Sequence, residues 1–180
     1  MSRILILYTT REGHTARIAA RVAQALRDAG HEVESWRVDG ASSNPDVADY
    51  SAVIVGASIH YGAHPRQLRY LLRRHRRDMA ARPTAFFSVS LSGGGPGAKP
   101  AAAQRYLDNF LRQTRWQPAL TASFGGALQY SKYGAFKRRL MRMIVGFAGG
   151  DTDMSRDYEY TDWAAVDRFA ESFAKHVQQA

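Results

Sequence analysis

The sequence contains no cysteine. Disulfides, thiolate nucleophiles and cysteine-ligated zinc or iron–sulfur centres are thereby excluded. It also lacks any run approaching about 18 uncharged apolar residues, the length a membrane-spanning helix needs. The apolar stretch Ile4–Leu7 near the N-terminus is too short for the hydrophobic region of a secretory signal. Acid is scarce: 16 Asp and Glu stand against 25 Lys and Arg, a formal charge of +9 over 180 residues. Such an imbalance points to a negatively charged partner, whether nucleic acid, a membrane surface or an acidic small molecule. The expectation is a cytoplasmic protein with at most peripheral membrane contact.

Several motifs are missing as well. No G-x-G-x-x-G follows the first apolar run, so the dinucleotide fingerprint is absent. The glycine-rich stretch Gly93–Pro100 is not a P-loop, because Lys99 follows Ala98 and precedes Pro100. A phosphoacceptor receiver needs carboxylates where this chain has Tyr8-Thr9-Thr10 and Gly56-Ala57-Ser58. The zinc-helix pattern H-E-x-x-H fails at His31-Glu32, which Val33-Glu34-Ser35 follow. The six histidines are dispersed, so no metal site is expected. No nucleophile triad is legible and no catalytic residue is assigned.

What is present is core material: 45% hydrophobic and 11% aromatic residues, enough for one domain over residues 1–180. Apolar runs at Arg3–Tyr8, His31–Val38, Ser51–Gly56, Thr84–Ser90 and Leu120–Leu128 read as strands. Between and after them, Thr15–Ala29, Pro65–Met79, Ala101–Thr114 and Trp163–Val177 carry the helical period. His75 is expected on the inward face of the second of these. Strands alternating with helices predict an α/β fold with a five-stranded parallel, doubly wound sheet in flavodoxin-like order. Residues Gln129–Tyr160 exceed what that fold needs and read as an insertion in or after the fifth strand. Ser92–Ala103, rich in Gly, Pro and Ala, reads as a loop running into a helix.

In such sheets the ligand sits beyond the carboxyl ends of the strands. The first of those loops is Thr10-Arg11-Glu12-Gly13-His14-Thr15, leading straight into a helix. Free N–H groups and hydroxyls there suit a phosphate; an ordinary capped turn is the alternative. The third strand ends Ser58-Ile59-His60-Tyr61-Gly62, where Tyr61 can stack on a flat ring or simply be a loop aromatic. The fourth ends Ser88-Val89-Ser90-Leu91, with polar groups able to bond a ring edge. Phosphate donors, an aromatic face and hydrogen-bonding edges on one crevice match FMN, which would then carry the chemistry.

Within the insertion, Phe136, Leu140, Met143, Ile144 and Phe147 recur at helical spacing, with Lys137, Arg138, Arg139 and Arg142 on the other faces. Lys132 precedes them. A basic amphipathic helix of this kind suits an anionic lipid interface; a packed helix with a solvated basic face is the alternative. Its Met and aromatic residues could also wall a hydrophobic cavity. Arg66, Arg69, Arg73, Arg76 and Arg77 form a second basic cluster. Replacing Ser131–Phe147 is expected to spare FMN binding, the cofactor loops lying elsewhere.

The sequence resembles the menaquinone-dependent protoporphyrinogen oxidase family, of the long-chain flavodoxin-like type, over essentially its whole length. The resemblance rests on Gly56–Gly62, Ser88–Leu91, Gly149-Gly150-Asp151-Thr152-Asp153 and Tyr160-Thr161-Asp162-Trp163. It implies FMN, protoporphyrinogen IX as substrate, and menaquinone or ubiquinone as acceptor. It also implies a role in haem biosynthesis at the cytoplasmic side of the cell membrane, with no nucleic acid involved. By position, Thr10, Arg11, Glu12, Gly13, His14 and Thr15 would hold the phosphate. Ser58, Ile59, His60, Tyr61 and Gly62, with Ser88, Val89, Ser90 and Leu91, would flank the ring. Ser90 stands where the family pattern has Asn, and the Gly-rich Ser92–Pro100 loop replaces a more basic stretch. A flavodoxin-type NAD(P)H:quinone reductase or electron carrier is the alternative activity, and charge alone suggests a nucleic-acid module.

Overall fold

The computed structural model describes residues 1–39, 45–60, 62–147 and 149–180, with the side chain of Lys137 excepted. Five strands form one parallel sheet: β1 (Arg3–Thr9), β2 (Glu32–Arg37), β3 (Ala52–Ser58), β4 (Thr84–Ser90) and β5 (Leu120–Gly125), in the order β2-β1-β3-β4-β5. The chain therefore starts near the middle of the sheet, winds outward to β2, then returns to build the other side. Successive side chains of a strand face opposite sides. In β1, Ile4 and Ile6 enter one core, while Leu5 and Leu7 enter the other. Burial on both faces is why these strands read as unbroken apolar runs rather than alternating ones.

The first core lies under α1 (His14–Asp28) and α6 (Trp163–Gln179), with Ile18, Val22, Leu26, Val166, Phe169 and Phe173 facing the sheet. The second lies under α2 (Arg66–Arg74), α3 (Arg76–Ala80) and α4 (Pro100–Thr114). Leu68, Leu72, Met79, Phe86, Leu107 and Phe110 fill it. The expected single helix Pro65–Met79 is thus two, broken at His75, whose backbone departs from helical geometry. Arg73, Arg74, Arg76 and Arg77 crowd like charge at neighbouring positions, which weakens a continuous helix there. His75 itself is half-buried, its Nδ1 3.5 Å from Asp78.

The expected strand Leu120–Leu128 also ends early. After Gly125 the chain leaves the main sheet, and β6 (Ala127–Leu128) pairs antiparallel with β7 (Tyr158–Glu159) in a separate ribbon. Close packing at Gly125 makes the turn possible. A Cβ there would lie 2.1 Å from the Tyr160 carbonyl oxygen and 3.2 Å from the Gly94 Cα, both rigid backbone. The Gly-rich loop therefore lies flat on the Tyr160 segment.

The ribbon is the base of the insertion. Between its strands run a single 3-10 turn at Tyr130–Lys132 and the helix α5 (Ala135–Phe147). Leu128, Tyr130, Tyr133 and Val145 form a third, smaller core, with Leu91, Met141, Met154, Tyr158 and Tyr160 around it. Asp151 fastens it by accepting the Tyr130 hydroxyl on its carbonyl (3.0 Å) and the Tyr160 hydroxyl on its carboxylate (2.7 Å). The insertion is a folded subunit of structure set against the carboxyl end of the sheet.

Candidate functional site

The loop after β1 is shaped by Gly13, the N-cap of α1, whose φ of 92° lies in the left-handed region that favours glycine. Its N–H donates to the Thr10 hydroxyl oxygen (3.0 Å), which folds the loop back over the helix start. No side chain caps α1 and no acid sits in its first turn. The first-turn N–H groups and the positive end of the helix dipole therefore face an open space, the arrangement that binds oxyanions.

That space is a cleft of about 290 Å³. Thr10, Arg11, Glu12, His14 and Thr15 line it from the first loop, and Ser58, Ile59, His60 and Gly62 from the end of β3. Val89, Ser90 and Leu91 line it from the end of β4. The loops after the first, third and fourth strands thus meet at one crevice. Gly13 shapes the loop without lining the cleft. Ser88 does not reach it: one layer deeper in β4 and 1% exposed, it bonds the imidazole of His64 instead (2.9 Å). Tyr61, expected to stack on the ring, lies outside the described residues.

Sequence reasoning missed Tyr106, Gly126, Ala127 and Tyr133, which complete the lining together with Ser92 and, from α5, Met141 and Ile144. Ile144 carried a signal, the apolar period of the insertion; Met141 lies outside that period. Tyr133 carried none, and it does the most. Its hydroxyl donates to the Glu12 carboxylate (3.0 Å), while the neighbouring Lys132 ammonium donates to the Glu12 carbonyl (3.0 Å). Burial beside Glu12 raises the Tyr133 pKa, so the phenol stays protonated as a donor. The insertion therefore clasps the phosphate loop. Its removal from Ser131 onward would release that loop, contrary to the expectation from sequence.

His14 is held from behind. The Thr161 hydroxyl donates to the Gly125 carbonyl (2.8 Å), so its oxygen accepts the Nε2–H of His14 (2.6 Å). This fixes the tautomer and leaves Nδ1 a bare acceptor, buried and without a partner. Burial, reinforced by Arg17 and Lys132 and opposed by Glu159, lowers the pKa of this imidazole. Nearby, Glu159 accepts from both Arg17 and the Trp163 indole, and Asp162 caps α6 through the Ala165 N–H.

The flavodoxin domain profile matches residues 5–155. Protoporphyrinogen IX dehydrogenase (quinone) of Leishmania major is 40% identical over 173 residues, 96% of this chain and 74% of that protein. Its counterpart in Escherichia coli K12 is 32% identical over 172 residues, 96% of this chain and 94% of that protein. The chain belongs to the protoporphyrinogen IX dehydrogenase (quinone) family of flavodoxin-domain proteins. The fold likeness is wider: a short-chain flavodoxin associated with a bacterial microcompartment superimposes with a TM-score of 0.60 at 13% identity, covering 98% of this chain and 99% of that one.

In this member of the family the cleft fits FMN on its own chemistry. The uncapped helix start and the Thr10 and Thr15 hydroxyls suit a phosphate. Ser90 Oγ is buried without a partner at the cleft, an arrangement costing about 1–3 kcal/mol unless a ligand's polar edge completes it. Ile59, Val89, Leu91 and Tyr106 supply the apolar surroundings a flat ring needs. The stretches that set this family's resemblance apart have structural tasks here: Asp151 anchors the insertion, and Thr161 orients His14.

Proposed function

We propose that this protein oxidises protoporphyrinogen IX to protoporphyrin IX with FMN as cofactor and a membrane quinone as electron acceptor, in haem biosynthesis. One observation carries the reading: the 40% and 32% identities extend over 96% of the chain, so they include the insertion that walls the cofactor cleft. Bound FMN supplies two-electron redox chemistry, and three such oxidations aromatise the macrocycle. The chain supplies the rest. Thr10, Thr15 and the first-turn amides hold the phosphate, and Met141 and Ile144 keep water from one side of the cleft. His60, hydrogen-bonded to the Ser58 hydroxyl (3.1 Å) at the rim, is placed to take a proton leaving the substrate.

The quinone, menaquinone or ubiquinone, and the porphyrinogen both partition to the bilayer, which favours a protein that works at its surface. No described helix is long and apolar enough to cross a membrane. Support for peripheral contact comes from α5, where Phe136 (83% exposed), Met143, Ile144 and Phe147 (87% exposed) project to solvent beside the exposed Arg139 and Arg142. An apolar edge flanked by cations suits the headgroup region of anionic lipid. The reading places the protein at the cytoplasmic face of the cell membrane.

The deciding experiment is an anaerobic assay of porphyrin fluorescence on the yellow, FMN-loaded protein. Fluorescence is expected to grow catalytically only when quinone is added. A protein that reduces quinone from NAD(P)H but never produces porphyrin would overturn the reading. The phosphate assignment has its own test. Thr15→Ala removes a hydroxyl bond to a charged group, worth about 1.5–3 kcal/mol. FMN affinity of the apoprotein is expected to fall roughly ten- to hundred-fold by titration, and an unchanged affinity would move the phosphate elsewhere.

A further inference from the structure

A second cavity adjoins the cofactor cleft, and we infer that it seats the propionate carboxylates of the substrate. The inference rests on the activity proposed above. The cavity is larger, about 550 Å³, and it shares Thr10, Arg11, Ser58 and His60 with the cleft. A substrate whose acidic arms lie in the cavity can therefore bring its ring against the cofactor held in the cleft.

Charge identifies the occupant. Arg11 reaches the cavity from the first loop, Arg37 from the end of β2 and Arg66 from the start of α2; Asp39 is the one carboxylate among its described lining. Residues 40–44, which follow Asp39, carry no charged side chain. Three guanidiniums less one carboxylate leave two positive charges, the complement of two propionates. Burial pushes the pKa of His64, also in the lining, down to about 3, so it adds no charge.

Three further features call for an anion. Thr9 belongs to the lining, and its Oγ1 is buried without a hydrogen-bond partner among the described residues. Helix α2 opens with no side-chain cap and no acid in its first turn, and its first residue is Arg66. A cation at the positive end of a helix is unfavourable until an anion joins it. Arg66 makes no hydrogen bond or ion pair among the described residues, and Arg37 makes one long contact, 3.5 Å to the Thr10 carbonyl. Both planar forks are thus available for the paired N–H···O bonds that guanidinium makes to carboxylate. The arginines come from the first loop, the end of β2 and the start of α2, so three separate parts of the fold set their spacing.

The test uses FMN-loaded protein and measures both protoporphyrin IX binding, by fluorescence quenching, and the KM for protoporphyrinogen IX. Arg37→Ala/Arg66→Ala is expected to weaken porphyrin binding about 100-fold, two charge-assisted bonds being lost, and to raise KM with kcat little changed. Arg66→Ala alone, on α2 rather than on the phosphate loop, is expected to weaken porphyrin binding about ten-fold with little change in FMN affinity. The dimethyl ester of protoporphyrin IX, lacking both charges, should bind wild type and variants alike. Inorganic phosphate should compete no better than sodium chloride of equal ionic strength. Wild-type turnover with variants that bind and turn over within two-fold of it would overturn the carboxylate seat alone. So would ester binding as tight as that of the diacid, or specific displacement by phosphate, which marks a free-oxyanion site. A wild-type protein that neither binds nor oxidises porphyrin would overturn the activity and the seat together.

Discussion

Replacing residues 135–147 with a short Gly/Ser link is expected to leave FMN affinity within a few-fold and to lower porphyrinogen-to-quinone turnover at least 100-fold. The cofactor loops would keep their clasp, because Lys132 and Tyr133 lie outside the replaced stretch. The cleft would lose Met141 and Ile144 from its wall, opening the reacting face to water. The exposed Phe136, Met143 and Phe147 would go with them. So would Arg139 and Arg142, each worth about 1 kcal/mol beside an anionic surface. Sedimentation with anionic liposomes should weaken in the same variant, and in wild type it should weaken with added salt. A variant with full turnover and full liposome binding would show that α5 has another task. Extending the replacement back to Ser131 should cost FMN affinity as well, which separates the clasp from the wall.

Acidification is the second large effect. His64 is buried against Phe86 and Phe110, with ring centroids 5.4 and 4.6 Å away, and its Nε2 bonds Ser88. Burial, with Arg69 adding repulsion, holds its pKa at about 3, against 6.5 for the free side chain. The unfolded chain therefore binds a proton that the folded chain refuses. The stability linked to His64 is complete above pH 6.5 and is lost as pH falls from there toward 3, by about 1.4 kcal/mol per unit. His14 and His31 are also lowered by burial, so they act in the same direction. Urea denaturation between pH 7 and 4.5 should show the slope, and His64→Gln should reduce it to the part that His14 and His31 contribute. An imidazole of His64 titrating near pH 6 in the folded protein by NMR would remove the basis for this expectation.

The main sheet was legible because burial on both faces leaves an uninterrupted apolar signature, as in Ile4–Leu7 and Ala52–Val55. The phosphate loop was legible because Gly13 and its threonines lie within six positions. What sequence could not reveal depends on partners distant along the chain. Thr161 meets His14 across 147 positions, and Tyr133 meets Glu12 across 121. Ser88 and Ser90 look equivalent in sequence, yet His64 seals the first and only the second lines the cleft. Arg11, Arg37 and Arg66 are unremarkable until the loop after β1, the end of β2 and the start of α2 bring them to one cavity. The break at Gly126 was hidden because Ala127 and Leu128 are as strand-like as what precedes them; only the pairing with Tyr158–Glu159 tells them apart.

That pairing has a consequence for how such a protein can be assembled from parts. The chain leaves the parent fold at Ala127 and comes back at Glu159, and these two residues face each other across the ribbon. Pinning the ends of a loop of about 30 residues costs on the order of 3 kcal/mol beyond a constant, and the ribbon with its own small core meets that cost locally. No strand of the main sheet has to change register to admit the segment. A plain five-stranded electron carrier could accept this piece as a transplant at a single junction, provided that a tyrosine and a lysine near its start find a glutamate on the host's first loop. The step from shuttling electrons to handling a greasy macrocycle is then a matter of docking one cassette, with the host scaffold left as it was.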